Sequence, residues 1–240
     1  MNSSPQPKVS PLRIGMVVFP GMTALDFAGP LEVFARLPGA EVHVLAKTLE
    51  PVRTDIGFFE VPTLRLTDAP ALDLLFIGGG PGVNPLMEDD DVLHFFARRA
   101  PQAQWITSVC TGALVLGAAG LLRGYRAATH WAAMEVLPLL GAIPTDERVV
   151  IDRNRITGGG VTAGLDFALT VAAQMHGEGL ARGMQLAMEY DPKPPFAGGS
   201  PRSTPADLVA EIRATLQPGT DLRLAAARRI AARKGWNAPA

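Results

Sequence analysis

The 240-residue chain contains a single cysteine, Cys110, and carries a formal net charge of only −1. One cysteine excludes an intramolecular disulfide framework and any zinc or iron–sulfur site built from several cysteines. The near-zero net charge provides no overall field that would draw the protein to nucleic acid or to an anionic membrane. We therefore expect neither a nucleic-acid partner nor a membrane partner. The single thiol is either a packed core residue or a reactive group.

Targeting segments and long apolar runs are also missing from the sequence. Residues 1–11 are polar and proline-rich without the apolar stretch of a signal peptide, so we expect a disordered tail and a cytoplasmic protein. The longest uncharged stretch, Trp105–Leu122, contains several glycine, serine and threonine residues. It predicts a buried strand that runs into a buried helix rather than a membrane span.

Histidine is scarce, and its four positions do not suggest a metal site. None of them has metal-ligand spacing to another histidine or to an acidic cluster. The four residues are His43, His94, His130 and His176. We therefore expect no bound metal.

Short apolar runs alternate with helical patterns along most of the chain. Because these runs do not alternate in polarity and are separated by helices, they predict a doubly wound α/β fold, a mostly parallel sheet with helices on both faces. The predicted strands are Arg13–Phe19, Glu41–Ala46, Asp73–Ile77, Gln104–Val109 and Arg126–Thr129, followed by a hairpin of Arg148–Ile151 and Arg155–Thr157. The predicted helices are Pro30–Leu37, Asp89–Ala100, Gly112–Leu122, Trp131–Leu140 and Ala163–Met175.

The α/β domain is expected to cover residues 12–200, and a C-terminal helical extension residues 201–240. A linker rich in proline and glycine, residues 191–203, joins the two parts. Beyond it, the pattern predicts two helices, Thr204–Leu216 and Asp221–Arg233. The extension holds seven basic and three acidic residues, which we interpret as a solvated helix face rather than a nucleic-acid contact.

Cys110 lies at the junction of an apolar strand and an apolar helix, in Ser108-Val109-Cys110-Thr111-Gly112. A strand-to-helix turn of this kind presents a nucleophile at the carboxyl edge of an α/β sheet. Gly112 fits because a close turn leaves no room for a Cβ atom. Free amides at the start of the helix are expected to lower the pKa of the thiol. Buried cysteines are usually inert, but this position favours a reactive thiol.

Four further residues are candidates for a site at the same edge of the sheet. The amides of Gly79 and Gly80 follow the third strand and either bind a developing negative charge or merely allow a tight turn. Asp26 either caps a helix start, in a Thr-x-x-Asp pattern, or exchanges protons with Cys110. His130 follows a strand and either faces the thiol or is a hydrogen-bonded turn residue. The sequence does not decide between these alternatives.

The segment Gly158–Ala163 matches a dinucleotide-binding pattern only superficially. Glu178 has the spacing of the acidic residue that binds a ribose, but that residue would have to end a following strand. The residues after Glu178 form a helical pattern instead. We therefore expect no dinucleotide, and we assign these glycines to close packing between a helix and a strand.

These motifs together resemble the PfpI-type, class I glutamine-amidotransferase-like superfamily. The resemblance runs from about Leu12 to beyond Gly199, and its most specific part is the stretch SVCTGALVLGAAGLL around Cys110. Within the superfamily, this combination of motifs is similar to the isonitrile hydratase type. The aspartate at position 26 fits that type. Thr111 stands where protease-like members have histidine, which argues against a Cys-His dyad.

The resemblance implies a flavodoxin-like fold, a homodimer, and hydration of a small-molecule isonitrile to an N-substituted formamide without a cofactor. It implies that Cys110 forms a covalent thioimidate while Asp26 acts as acid and base. Backbone amides around Gly79, Gly80 and Thr111 would hold developing charge, and the Thr111 hydroxyl would bond the sulfur or Asp26. The alternatives are another cysteine enzyme of the superfamily, glyoxalase-, deglycase- or hydrolase-like, and a non-catalytic ligand or redox sensor.

Overall fold

A computed structural model describes residues 11–236 and is built around a seven-stranded sheet. The strands are β1 Leu12–Val17, β2 Ala40–Ala46, β3 Val52–Arg53, β4 Phe59–Glu60, β5 Leu64–Arg65, β6 Leu74–Ile77, β7 Trp105–Val109, β8 Arg126–Ala127, β9 Ile143–Pro144, β10 Val149–Asp152 and β11 Arg155–Gly158. The order in the main sheet is β10-β11-β7-β6-β1-β2-β5. Within this sheet only the β10–β11 pair is antiparallel, so the predicted mostly parallel sheet and its hairpin are confirmed.

Helices cover both faces of this sheet, as the pattern predicts. They are α1 Ala24–Phe34, α2 Val83–Leu86, α3 Asp90–Arg99, α4 Gly112–Ala118, α5 Ala163–His176, α6 Glu178–Ala187 and α7 Ala206–Arg233, with 3-10 helices at Leu66–Asp68, Ala100–Gln102 and Trp131–Leu140. Helix α1 packs on α5, whereas α3 and α4 pack together. A cluster of three aromatic rings, Phe34, Phe76 and Phe167, joins α1, β6 and α5 at centroid separations of 5.8–6.1 Å.

The start of helix α1 and the end of helix α4 differ from the sequence prediction. Helix α1 begins at Ala24, and Pro30 lies inside it rather than at its first position. This shift matters because it places Asp26 in the first turn of the helix. Helix α4 ends at Ala118, earlier than the predicted Leu122, because the chain turns through Gly120 at a φ of +82°.

The prediction of two separate C-terminal helices is wrong, because α7 runs continuously through Pro218. Proline removes one hydrogen bond to the preceding turn and usually bends or breaks a helix. Here the following turn is held by tertiary contacts. The hydroxyl of the buried Thr220 donates to the carbonyl of Ala132 at 3.0 Å, and α7 packs along the 3-10 helix Trp131–Leu140. The sequence predicts an ordinary helix for Trp131–Leu140, whereas the structure has a 3-10 helix there, with Pro138 inside it.

The predicted N-terminal tail, residues 1–11, lies outside the described residues except for Pro11. The predicted boundary near residue 200 falls between α6 and α7, in a segment without regular secondary structure. Among the helices of residues 11–236, none is long and apolar enough to cross a membrane.

Candidate active site

The carboxyl ends of β6, β7 and β11 bring the candidate residues to one edge of the sheet. Ile77 of β6 is in register with Ser108 of β7, and Gly158 of β11 is in register with Val109. The next residue, Cys110, donates its amide proton to the carbonyls of Gly158 and Gly159 at 3.1 and 2.7 Å. The three chain segments therefore meet around Cys110, as expected for a ligand site in an open α/β sheet.

Cys110 adopts a strained backbone conformation between β7 and α4. Its φ is +53°, in the left-handed region that residues with a side chain rarely adopt. A Cβ atom on Gly112 would lie 2.4 Å from the carbonyl oxygen of Ile77, so only glycine fits without a backbone shift. The hydroxyl of Thr129 also holds the turn, because it donates to the Cys110 carbonyl at 2.8 Å. This is the geometry of the strand-to-helix turn that the sequence predicts.

Asp26 lies beside this turn and is completely buried. Its Oδ2 atom accepts the amide proton of Gly79 at 2.8 Å, and its Oδ1 atom has no hydrogen-bond partner within the described part of the chain. The alternative role in helix capping does not fit, because no side chain caps the start of α1. The hydroxyl of Thr23, which precedes the helix, donates to Asp55 instead. Asp26 therefore faces the elbow, the turn around Cys110, rather than the helix end.

Burial controls the protonation of both groups. It raises the pKa of Asp26 to about 7, although the Gly79 amide and Cys110 partly oppose the change. Burial, followed by the negative charge of Asp26, raises the pKa of the Cys110 thiol well above its ordinary value. The amide and hydroxyl of Thr111 favour the thiolate but do not outweigh burial. The expected lowering of the thiol pKa is therefore wrong, because the start of α4 cannot compensate for the loss of water.

The amides of Gly79 and Gly80, candidate donors to a developing negative charge, already have acceptors within the protein. Gly79 donates to Asp26, and Gly80 donates to the Thr111 hydroxyl at 3.0 Å. A Cβ atom on Gly79 would lie 2.5 Å from the Thr111 nitrogen and 2.9 Å from the Cys110 Cβ atom. The glycines thus let this turn approach the elbow closely, while their amides orient the Asp26 carboxylate and the Thr111 hydroxyl.

His130 lies near the site but makes the contacts of a turn residue. Its Nδ1 atom accepts the amide proton of Ala132 at 3.3 Å, at the start of the 3-10 helix. Burial and the charge of Arg223 lower its pKa, so the imidazole is neutral. It lines a cavity of about 480 Å³ together with Thr129 and Gly159, which both hydrogen-bond to the Cys110 backbone.

Arg223 is the member of this neighbourhood that sequence reasoning missed. It lies on α7 and donates from Nε to the Oδ1 atom of Asn84 at 2.9 Å. Burial lowers its pKa, and the negative charge of Cys110 opposes that change. An arginine on an amphipathic helix looks like an ordinary solvated residue, so no local signal in the sequence identifies it.

Nucleotide and metal sites are not indicated in the described residues. The strand that a dinucleotide fold requires after α5 is replaced by α6, which begins at Glu178. No group of three histidine, cysteine, aspartate or glutamate residues within residues 11–236 is arranged to hold a metal ion.

Comparisons with known proteins connect this geometry to a family. A model described as "DJ-1/PfpI family" matches residues 12–174. The chain is 50% identical to an isonitrile hydratase from Pseudomonas putida, over 92% of this chain and 97% of that protein. It is 30% identical to the HTH-type transcriptional regulator GbdR of Pseudomonas aeruginosa, but spans only 52% of that regulator. The crystal structure of a THiJ/PfpI family protein from Pseudomonas syringae superposes with a TM-score of 0.89 at 45% identity, covering 92% of each chain.

Proposed function

The chain belongs to the DJ-1/PfpI family, and we propose that it is an isonitrile hydratase, which adds water to an isonitrile to give an N-substituted formamide. The observation that carries this proposal is the buried Asp26–Cys110 pair at the strained turn. The relative named isonitrile hydratase aligns over nearly its whole length, which supports the same substrate class. The resemblance inferred from the sequence points to the same family.

The first half of the reaction uses the thiol proton of Cys110. Asp26 in its carboxylate form removes this proton as the sulfur attacks the terminal carbon of R–N≡C, forming the carbon–sulfur bond. The proton held by Asp26 then passes to the same carbon. The product is a covalent thioimidate, R–N=CH–S–Cys110, and Asp26 is again a carboxylate.

The second half consumes water and regenerates the thiol. Asp26 removes a proton from water as the oxygen attacks the thioimidate carbon, and the imine nitrogen gains a proton. The tetrahedral intermediate loses its hydroxyl proton and expels the sulfur, which is reprotonated to the thiol. The released product is R–NH–CHO, so the sum is the isonitrile plus one water. The protein's own groups handle every proton, and the chemistry needs no metal or organic cofactor.

The surrounding residues have supporting roles in this proposal. The Gly79 amide orients Asp26, and the Gly80 amide orients the Thr111 hydroxyl. The Thr111 amide and hydroxyl stabilise negative charge on sulfur. His130 lines the cavity that borders the Cys110 turn through Thr129 and Gly159, and we assign it to substrate binding there. Cys110 is only 4% exposed, which suits a substrate whose reacting end is a narrow linear group.

The redox-sensor alternative is less compatible with this site. Cysteines that sense oxidants are exposed and have a low pKa, whereas Cys110 is buried and its pKa is raised. A glyoxalase- or hydrolase-like reaction remains the competing enzymatic proposal. An assay that offers a glyoxal and an isonitrile to the same preparation distinguishes the two, because only isonitrile hydration yields a formamide.

We extend the proposal to a cytoplasmic homodimer. The family resemblance implies a dimer. Sedimentation at micromolar concentration is expected to give twice the mass of 25.4 kDa. A species with the mass of one chain would contradict the dimer without affecting the proposed reaction.

The pH dependence of formamide production tests the proposed proton transfers. Asp26 must be ionised to accept the thiol proton, and its pKa is about 7. Turnover of an alkyl isonitrile is therefore expected to fall about tenfold per pH unit below that value, and to level off above it. Formamide is measured by chromatography with purified protein. An absence of formamide at every pH would refute the activity, and a rate independent of pH between about 5 and 8 would refute the role of Asp26.

A further inference from the structure

The cavity of about 480 Å³ beside the Cys110 turn is larger than the reacting end of an isonitrile requires. Two of its lining residues contact the Cys110 backbone directly: the Thr129 hydroxyl donates to the carbonyl, and the Gly159 carbonyl accepts the amide proton. The larger cavities of about 610 and 1030 Å³ are lined by residues without such a bond to Cys110. A volume of about 480 Å³ is typical of a small-molecule site, so it can hold the group R of R–N≡C.

One wall of this cavity is a short loop from the segment between α6 and α7, residues 198–202, which we call the wall loop. Gly198 and Gly199 turn the chain there at φ angles of +136° and +95°, which residues with a side chain rarely adopt. The Gly199 amide donates to the hydroxyl of Thr204 at 3.3 Å, so the loop closes on itself. The wall loop is therefore a compact turn rather than an extended linker.

An ion pair holds the wall loop against the α/β domain. The Arg202 guanidinium binds the Asp146 carboxylate and also donates to the Asp146 backbone carbonyl at 2.9 Å. Asp146 lies between β9 and β10, and both partners of the pair line the cavity. Their side chains are 64% and 69% exposed, so removing one partner leaves no buried charge behind. The pair therefore sets the position of the loop, and the fold is expected to survive its loss.

We propose that the wall loop limits the size of the group R that this protein accepts, and that Arg202 and Asp146 are the specificity-determining pair. Cys110 is only 4% exposed, so R in a thioimidate on its sulfur must occupy space that adjoins the turn. The wall loop bounds that space. The inference rests on the proposed function for the identity of R. Residues 198–202 lie beyond residue 174, where the match to the family model ends, so the wall is not part of what defines the family.

Substrate preference tests the wall with isonitriles of two sizes. The value of kcat/KM is measured for methyl isonitrile and for cyclohexyl isonitrile. In Arg202→Gln, the ratio of the cyclohexyl value to the methyl value is expected to rise about fivefold, because the loop loses one exposed ion pair. Asp146→Asn is expected to raise the ratio equally, and the double variant no further, because all three lose the same interaction. Fully additive effects in the double variant would contradict the role of the pair.

Modification of Cys110 tests the wall without any isonitrile. Because Cys110 is the only cysteine, methyl and benzyl methanethiosulfonate report on one sulfur. In Arg202→Gln, the rate with the benzyl reagent relative to the methyl reagent is expected to rise about fivefold, because the benzyl group needs the space assigned to R. If no isonitrile is turned over but this ratio rises, the proposed function fails and the wall limits other groups attached to Cys110.

Arg182→Gln is the matched control. Arg182 forms a similarly exposed ion pair with Glu178, at 76% and 72% exposure, but both residues line the cavity of about 1030 Å³ instead. This variant is expected to leave both ratios unchanged. The inference is wrong if Arg202→Gln leaves the thiosulfonate ratio unchanged, or leaves the isonitrile ratio unchanged in a protein that turns isonitriles over. It is also wrong if Arg182→Gln raises the ratios equally.

Discussion

Replacing Cys110 by serine is expected to abolish formamide production, with a loss of at least about a thousandfold. A serine hydroxyl at this position is a far weaker nucleophile than a thiol, and Asp26, with a pKa of about 7, is too weak a base to ionise it. The change removes the atom that forms the covalent bond and leaves the rest of the site in place. The measurement is the rate of formamide release from an alkyl isonitrile at saturating concentration.

Two controls separate loss of chemistry from loss of fold. The serine side chain is nearly the same size as that of cysteine, so the thermal unfolding of Cys110→Ser is expected to stay close to that of the unmodified protein. Acid quenching of the unmodified protein during turnover is expected to trap a mass increase equal to one substrate molecule on Cys110. Undiminished turnover in the serine variant would exclude the thioimidate mechanism.

Replacing Asp26 by asparagine is expected to lower turnover by at least about a hundredfold, because asparagine can neither accept nor donate the transferred protons. The side-chain oxygen of the asparagine would still accept the Gly79 amide proton that Asp26 accepts now. The geometry of the turn is therefore expected to survive. Asp55→Asn is the control, because Asp55 raises the pKa of Asp26 by its charge, and asparagine can still accept the hydrogen bond from Thr23. It is expected to change turnover by no more than a few-fold.

The same substitution is expected to stabilise the fold at alkaline pH. The folded-state pKa of Asp26, about 7, lies above the value of 3.8 for an unperturbed aspartate. The contribution of Asp26 to stability is therefore fully present below the unfolded pKa and is lost as the pH rises through 7. Near pH 8 the unmodified protein buries a carboxylate, and Asp26→Asn relieves a cost on the order of 1–4 kcal/mol.

Thermal unfolding of both proteins at about pH 4 and pH 8 tests this expectation. The stability of Asp26→Asn relative to the unmodified protein is expected to increase with pH. A constant difference would show that Asp26 is not a buried group with a raised pKa. Full turnover in Asp26→Asn would remove it from the mechanism, whatever its effect on stability.

Local patterns in the sequence predicted the frame of the site. The apolar runs that form β1, β6 and β7 are buried strands in the structure, and their carboxyl ends meet as the fold class requires. Cys110 and Gly112 could be assigned to a strand-to-helix turn from the sequence, because such a turn depends on a short stretch of neighbouring residues. The dinucleotide pattern at Gly158 was rejected because the secondary structure that follows it is also a local property.

Contacts between distant segments account for what the sequence did not predict. The C-terminal extension was predicted as two helices on either side of Pro218. It is one continuous helix because Thr220 and its neighbours pack against a segment far away in the chain. The sequence left open whether the Gly79 and Gly80 amides bind a developing charge or merely belong to a tight turn, and only the folded structure shows their partners on other elements. Arg223 has no distinguishing neighbours in the sequence, and its contact with Asn84 depends entirely on where α7 packs.

The sequence by itself determined that one cysteine occupies a tight turn at the carboxyl edge of an α/β sheet, with Asp26 as its candidate partner. This was possible because strand and helix patterns, the conformational freedom of glycine and the order of residues each depend on only a few neighbouring positions. The protonation of the pair was decided by the tertiary structure, which raises the pKa of both groups. Desolvation depends on every atom that packs around a group, and those atoms come from elements far apart in the chain.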